Sequence, residues 1–195
     1  MDNINKYLES WLNQLNYFSY RNYEDKPDIE LYMEQLVNYL EKEQQIFQTS
    51  SLDKQITNSM INNYVKGEVV PAPISKRYNR EHIAQLEEVC TLKNVLTISE
   101  VKQVLDQRYI NHPAKGEIFN EFNEAYANKI QEAVRESFNK LNQLGTNDLD
   151  GLINMALDFS LTANTYMAIA KRILFLTRIY QFDQQQKEER TYEQE

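Results

Sequence analysis

The stretch TNSMINNYVK, residues 57 to 66, is spaced so that one side of a helix would carry Asn58, Ser59, Asn62, Asn63 and Lys66, and the other Met60, Ile61, Tyr64 and Val65. Short amide and hydroxyl groups on an exposed helical face are what a nucleic-acid groove accepts. Asn bonds an adenine edge through its carbonyl and amide together, and Asn, Ser, Tyr and Lys all reach phosphate oxygens. Downstream, SKRYNR gathers Lys76, Arg77, Tyr78 and Arg80 behind a loop that Pro71 and Pro73 keep extended, which suits a wing laid across a phosphate backbone. Charge follows the same segment. Residues 54–80 hold Lys54, Lys66, Lys76, Arg77 and Arg80 against Glu68 alone, a local +4; the chain is at −8, so the other 168 residues carry −12. An acidic body with one basic face suppresses loose adhesion to polyanions while keeping one attractive surface.

The elements that must hold these residues read as helices. Four Gly and four Pro in 195 residues leave few breakers, and an all-α fold is expected, large enough to bury a core without disulfides or metal. Ile4, Leu8, Trp11 and Leu15 mark a first helix. Asp28, after Pro27, is expected to cap a second with Ile29, Met33, Leu36, Val37 and Leu40 inward to about Phe47, where QTSSLD breaks it. Gly67 stops the 57–66 helix, Asn79 caps one carrying Ile83, Leu86, Val89 and Cys90, and TISE at 97–100 is a capping box opening a helix with Val101, Val104 and Leu105 inward. Pro113 marks a boundary between residues 1–112, the N-terminal helices with the winged head, and residues 113–195. In the latter, Ile118 to Leu141 and Leu149 to Phe182 predict two long helices packed as an antiparallel hairpin, before a polar tail.

The order TNSMINNYVKGEVVPAPISKRYNREHIAQLEEVCTLKNVLTISEVKQVL resembles the winged helix-turn-helix of MerR-type regulators, whose pattern is a recognition helix ending in Tyr, a Gly-Leu-x-Pro turn, an Arg-Tyr wing and a following helix. With PDIELYMEQLVNYL upstream, the chain is also similar to a family of uncharacterised bacterial proteins, a domain of unknown function with a MerR-like head. The likeness is strongest over residues 27–110. It implies DNA contact by the positions matching Asn62, Asn63 and Tyr64 on the recognition helix and Lys76, Arg77 and Tyr78 on the wing. The usual Arg-Tyr-Tyr is here Asn62-Asn63-Tyr64, so sequence preference does not carry over. A single long dimerisation helix followed by metal-binding cysteines is also missing, which removes a metal-sensor expectation.

Other chemistries lack their residues. Cys90 is the one cysteine, read as a small buried residue, and His82 and His112, read as surface residues, have no metal-ligand spacing. No Gly-rich phosphate loop or nucleophile motif occurs, and Glu117, Glu121 and Glu124 read as a solvated face, so neither an enzyme nor a cofactor is expected. MDNINKYLESWL has no basic start and apolar core, and the run Phe159 to Ala170 is too short to cross a bilayer, so a cytoplasmic protein is expected. The reading is a transcriptional regulator binding double-stranded DNA through Asn58, Ser59, Asn62, Asn63, Tyr64, Lys66, Lys76, Arg77, Tyr78 and Arg80. A helical protein–protein module that keeps the head's shape is the alternative. Aromatics on several faces of residues 117–182, among them Phe119, Phe122, Phe138, Phe159, Tyr166, Phe175 and Tyr180, predict a homodimer through the C-terminal helices. An unidentified effector there is the other use such a surplus has.

Overall fold

The computed structural model describes residues 3–48, 56–110, 112 and 114–192, with side chains as far as Lys187. Lys54 and most of the QTSSLD break lie outside these residues. Among the described residues the chain is predominantly helical: α1 (Ile4–Asn16), α2 (Met33–Glu43), α3 (Asn58–Lys66), α4 (Arg80–Leu92), α5 (Ile98–Tyr109), α6 (Lys115–Leu141) and α7 (Leu149–Tyr192). A two-stranded antiparallel sheet joins β1 (Leu31–Tyr32) to β2 (Arg77–Tyr78), with Leu31 opposite Tyr78 and Tyr32 opposite Arg77.

Helix α4 is the axis of the packing, since every residue from His82 to Cys90 is buried. One side meets α2, α3 and α5 in a cluster built on Leu36, Leu40, Ile61, Tyr64, Ile83, Leu86, Val89 and Val101. The other meets Tyr20 and Phe119, which pack on Ala84. A further cluster joins Leu12 and Leu15 of α1 to Ile130, Val134 and Leu141 of α6, so apolar packing crosses the expected 112/113 boundary. The segment between α1 and β1 is tied to α6 by Asn123. Its Oδ1 accepts from the Tyr20 N–H at 2.8 Å, and its Nδ2 donates to the Tyr20 carbonyl at 2.6 Å. Gly116 makes that approach possible: a Cβ there would lie 2.7 Å from the Tyr23 ring.

Several boundaries differ from the sequence expectation. Residues 29–32 do not open α2. Leu31 and Tyr32 pair with the wing, and Gln35 Oε1 accepts from the Tyr32 N–H at the start of a helix that opens at Met33. Ile29 is consequently exposed, and Asp28 bonds Arg80 instead of capping. In α1 the inward face is turned toward Asn5 and Leu12, while Trp11 sits at the rim and donates from Nε1 to the Ile46 carbonyl at 3.0 Å. His82, expected on the surface, is buried because it completes the Asn79 capping box, its Nδ1 accepting from the Asn79 N–H. Its Nε2 reaches the Ala72 carbonyl. Cys90 is buried as expected, and burial pushes its thiol up to about 12.

The C-terminal hairpin departs furthest. The helix α7 is a single one of 44 residues that continues through the polar tail to Tyr192. It meets α6 near the connecting turn, through Leu152 and through Lys140, whose Nζ lies 2.7 Å from Asp158 and over the Phe159 ring. Further along it leans on α5, where Gln103 donates to the Leu174 carbonyl and Gln181 to Gln107. No described residue of α7 is fully buried. Phe119, expected at a dimer surface, is fully buried in this chain, and Phe122 and Phe138 are half-buried. Tyr166, Phe175 and Tyr180 are exposed.

Candidate nucleic-acid interface

The α3 segment folds as its spacing dictates. The Thr57 hydroxyl accepts from the Met60 N–H at 3.2 Å and caps the helix, worth about 1 kcal/mol. Ile61 and Tyr64 are buried against α2 and α4, Met60 and Val65 are half-buried, and Asn58, Ser59, Asn62, Asn63 and Lys66 are exposed. The helix ends at Gly67 with ordinary φ; the left-handed residue is Glu68, at φ 55°, whose carbonyl accepts from Lys102 Nζ at 2.9 Å.

The wing is a tight hairpin. Ile74 and Arg77 exchange backbone hydrogen bonds around Ser75 and Lys76, which both take positive φ, 51° and 63°. Two consecutive left-handed residues match the twist of a hairpin turn, yet an L side chain in that region costs roughly 1–2 kcal/mol. The double variant Ser75→Asn, Lys76→Gly is expected to raise stability by about 1 kcal/mol in urea unfolding. An unchanged or lower midpoint would contradict a strained tip. Lys76 stands exposed at that tip. Arg77 is half-exposed, stacks over Tyr32 at 5.3 Å and sits 3.6 Å from Glu30. Arg80 donates to Asp28 at 3.0 Å and lies over the Tyr23 ring at 5.8 Å.

Two of the expected contact residues sit elsewhere. Tyr64 is 1 % exposed, its ring in the core beside Lys93 and its hydroxyl without a partner. Tyr78 is 2 % exposed, edge-on to His82. An aromatic at the inward position of an amphipathic helix, or facing in from a strand, is worth more as buried area than as one phosphate contact, so both leave the candidate surface. Asn58, Ser59, Asn62, Asn63, Lys66, Lys76, Arg77 and Arg80 remain. The α3 helix and the hairpin both pack on α2, which fixes them in one body. Asp28 and Glu30, which answer Arg80 and Arg77, were not foreseen: acids before a helix read as cap material, and only the strand pairing brings them to the wing.

Residues 21–129, more than half of the chain, match the model of a domain of unknown function, DUF1836. The chain belongs to the DUF1836 family. The DUF1836 segment runs from the loop before β1 to the middle of α6 and thus holds α3, the hairpin, and the α4 axis. It leaves out α1 and α7. No curated protein and no solved structure matches the chain. Among the described residues no group of His, Cys, Asp or Glu is placed to hold a metal ion, and no helix is long and apolar enough to cross a membrane.

Proposed function

We propose that this DUF1836 protein is a DNA-binding transcriptional regulator with a MerR-like head, in which α3 reads a major groove and the hairpin contacts the phosphate backbone. The observation that carries the reading is the sorting of side chains on α3: its amides, hydroxyl and lysine are all exposed while its apolar residues are buried. Lys76 at the tip of a rigid two-residue turn supplies the cation a wing needs. The acids beside Arg77 and Arg80 do not oppose this strongly, because exposed ion pairs contribute only about 0–1 kcal/mol and a phosphate competes for the same donors. They do favour the second reading, a module that binds protein through the same shape, to the extent that they dilute the positive face. A cytoplasmic setting and dimeric assembly belong to the first reading, since one short helix and a wing rarely select a site alone. The groove between α5 and α7, about 660 Å³ and bordered by Val104, Arg108, Leu176 and Tyr180, would take an effector as the alternative to a second copy covering that face.

Fluorescence anisotropy on duplexes flanking the gene, titrated with salt, tests the proposal. Affinity is expected to fall steeply with salt. Lys76→Ala and Arg77→Ala weaken binding to every sequence and each reduce the logarithmic salt slope by about 1, whereas Asn62→Ala changes discrimination between sequences. Glu30→Gln, which releases Arg77, strengthens binding to all sequences. No rise in anisotropy with any duplex at low salt favours the protein-binding module.

A further inference from the structure

Of the twenty large apolar side chains exposed among the described residues, twelve lie on α7. With aromatic side chains burying ~150–250 Å² each, this leaves on the order of 1,000 Å² of apolar surface on one helix. A typical monomer's largest patch is roughly 300–600 Å², and a stable interface buries ~800 Å² per partner. That area is counted around the whole helix; five of the twelve, Tyr166, Ile169, Ile173, Leu176 and Tyr180, share one stripe, which is the face a single partner helix can cover.

We infer that α7 pairs antiparallel with α7 of a second copy of this chain, placing Asp158 of each against Arg172 of the other; this rests on the dimeric reading above and gives it an arrangement. From Leu152 to Tyr180 one stripe of α7 recurs in strict alternation of three and four residues, and among its nine positions only Thr162 is not apolar. That period of 3.5 is the seam of a left-handed two-helix supercoil. The stripe is partly covered at its start, where Leu152 joins the α1–α6 cluster and Phe159 lies under Lys140. From Tyr166 onward Ile169, Ile173, Leu176 and Tyr180 are all at least half exposed. An antiparallel partner centred near Thr165 lays this open half on the start of the other helix. Ile169 then meets Phe159 of the partner subunit, and Ile173 meets Met155 of the partner subunit.

Charge selects the direction. Asp158 and Arg172 each stand one residue before a stripe position, on the same flank, seven residues either side of Thr165. Antiparallel pairing in the register that matches the apolar layers brings them together twice by symmetry. A parallel pair would instead set Asp158 beside Ala163 of the partner subunit and Arg172 beside Thr177 of the partner subunit. Both charges are accessible: the Asp158 side chain is 54 % exposed despite Lys140, and Arg172 stacks on its own Phe175 with no ion pair among the described residues.

Sedimentation of the full chain and cysteine pairing test this together. Cys90 is buried and does not compete. Under mild oxidation Thr165→Cys is expected to form a disulfide-linked dimer, because that position faces its own copy, and Leu176→Cys is not. A dimer in which Leu176→Cys links and Thr165→Cys does not overturns the antiparallel arrangement while leaving dimerisation intact. A monomer at 100 micromolar, roughly a hundredfold above a micromolar Kd, overturns both. Asp158→Arg and Arg172→Asp should each raise the dimer Kd roughly tenfold, and the double reversal should restore it. The two positions lie about 21 Å apart along one helix, so recovery requires contact across the dimer. Absence of recovery overturns the pairing of Asp158 with Arg172.

Discussion

Lys26→Met is expected to cost about 3–5 kcal/mol at pH 8, the largest single-residue loss anticipated for this protein. Lys26 is 2 % exposed, with its Nζ 2.5 Å from Glu87 Oε2 and 4.1 Å from the centre of the Phe119 ring. Glu87 is itself fully buried in the middle of α4. Burial pushes both groups toward their neutral forms, lowering Lys26 and raising Glu87, and each offsets the other's desolvation. Removing the ammonium leaves a carboxylate with no counter-charge in a packed interior. The protein has one escape: Glu87 can take up a proton, so the loss should shrink at pH 5. Lys26→Met combined with Glu87→Met should recover most of the stability, because replacing a buried pair by apolar groups of similar size is often neutral. Urea unfolding of the two variants at both pH values checks this. A single-variant loss below about 1 kcal/mol at pH 8 would mean that the pair is a bystander, since that is the scale of an exposed ion pair.

The contrast between α3 and this ion pair shows what a sequence reveals. The α3 helix was legible because each of its determinants is local: Thr57 caps it, Gly67 follows it, and its apolar residues keep a period of 3.6. The same locality exposed the Asn79 cap and the Thr97 capping box, but not the part that His82 plays at Asn79. Where a tertiary partner decides, the pattern misled. Ile29, Met33 and Leu36 fit a helical stripe, yet residues 31 and 32 pair with wing residues 47 and 45 positions away, and backbone hydrogen bonding to β2 outweighed the periodicity. Tyr64 and Tyr78 carry polar tips that suggest phosphate contact, but their rings fill the core. Glu87 and Glu88 left a signal that was passed over: two acids inside the apolar run between Leu86 and Val89 have no solvated face to occupy. For α7 the alternation of three and four was present in the sequence. That the helix would leave α6 and present this stripe to solvent depends on how the turn at 142–148 aims it.

The second prediction with a large effect concerns those acids: between pH 5 and pH 8 the folded protein should lose stability, and Glu88→Gln should remove much of that loss. Burial raises the Glu88 carboxyl to about 7, against the combined pull of the Tyr109 hydroxyl, which donates to Oε2 at 2.8 Å, Arg108 and Lys26. Its Oε1 has no hydrogen-bond partner, and the nearest guanidinium nitrogen of Arg108 is 4.0 Å away while that side chain donates to the Ile118 carbonyl. Glu87 is also raised by its burial, with Glu43 adding to the rise and Lys26 opposing it. For a carboxyl whose folded pKa lies above its unfolded value of about 4.5, the folded state holds the extra proton between the two values. The stabilisation is complete below the unfolded pKa and is lost as pH rises through the folded one, which puts the window for Glu88 at about pH 4.5–7. At 1.36 kcal/mol per unit, Glu88 alone accounts for on the order of 3 kcal/mol. Glutamine keeps the shape and can accept from Tyr109 while carrying no charge to desolvate. The variant should therefore match the wild type near pH 5, exceed it near pH 8, and unfold with a flatter dependence of urea midpoint on pH. Because the lowered carboxyls of Glu24, Glu100 and Glu132 titrate below their usual range, they contribute nothing to this window. An unchanged slope in Glu88→Gln would show that water or Arg108 solvates the carboxylate in the folded state, and that α4 carries its acids without cost.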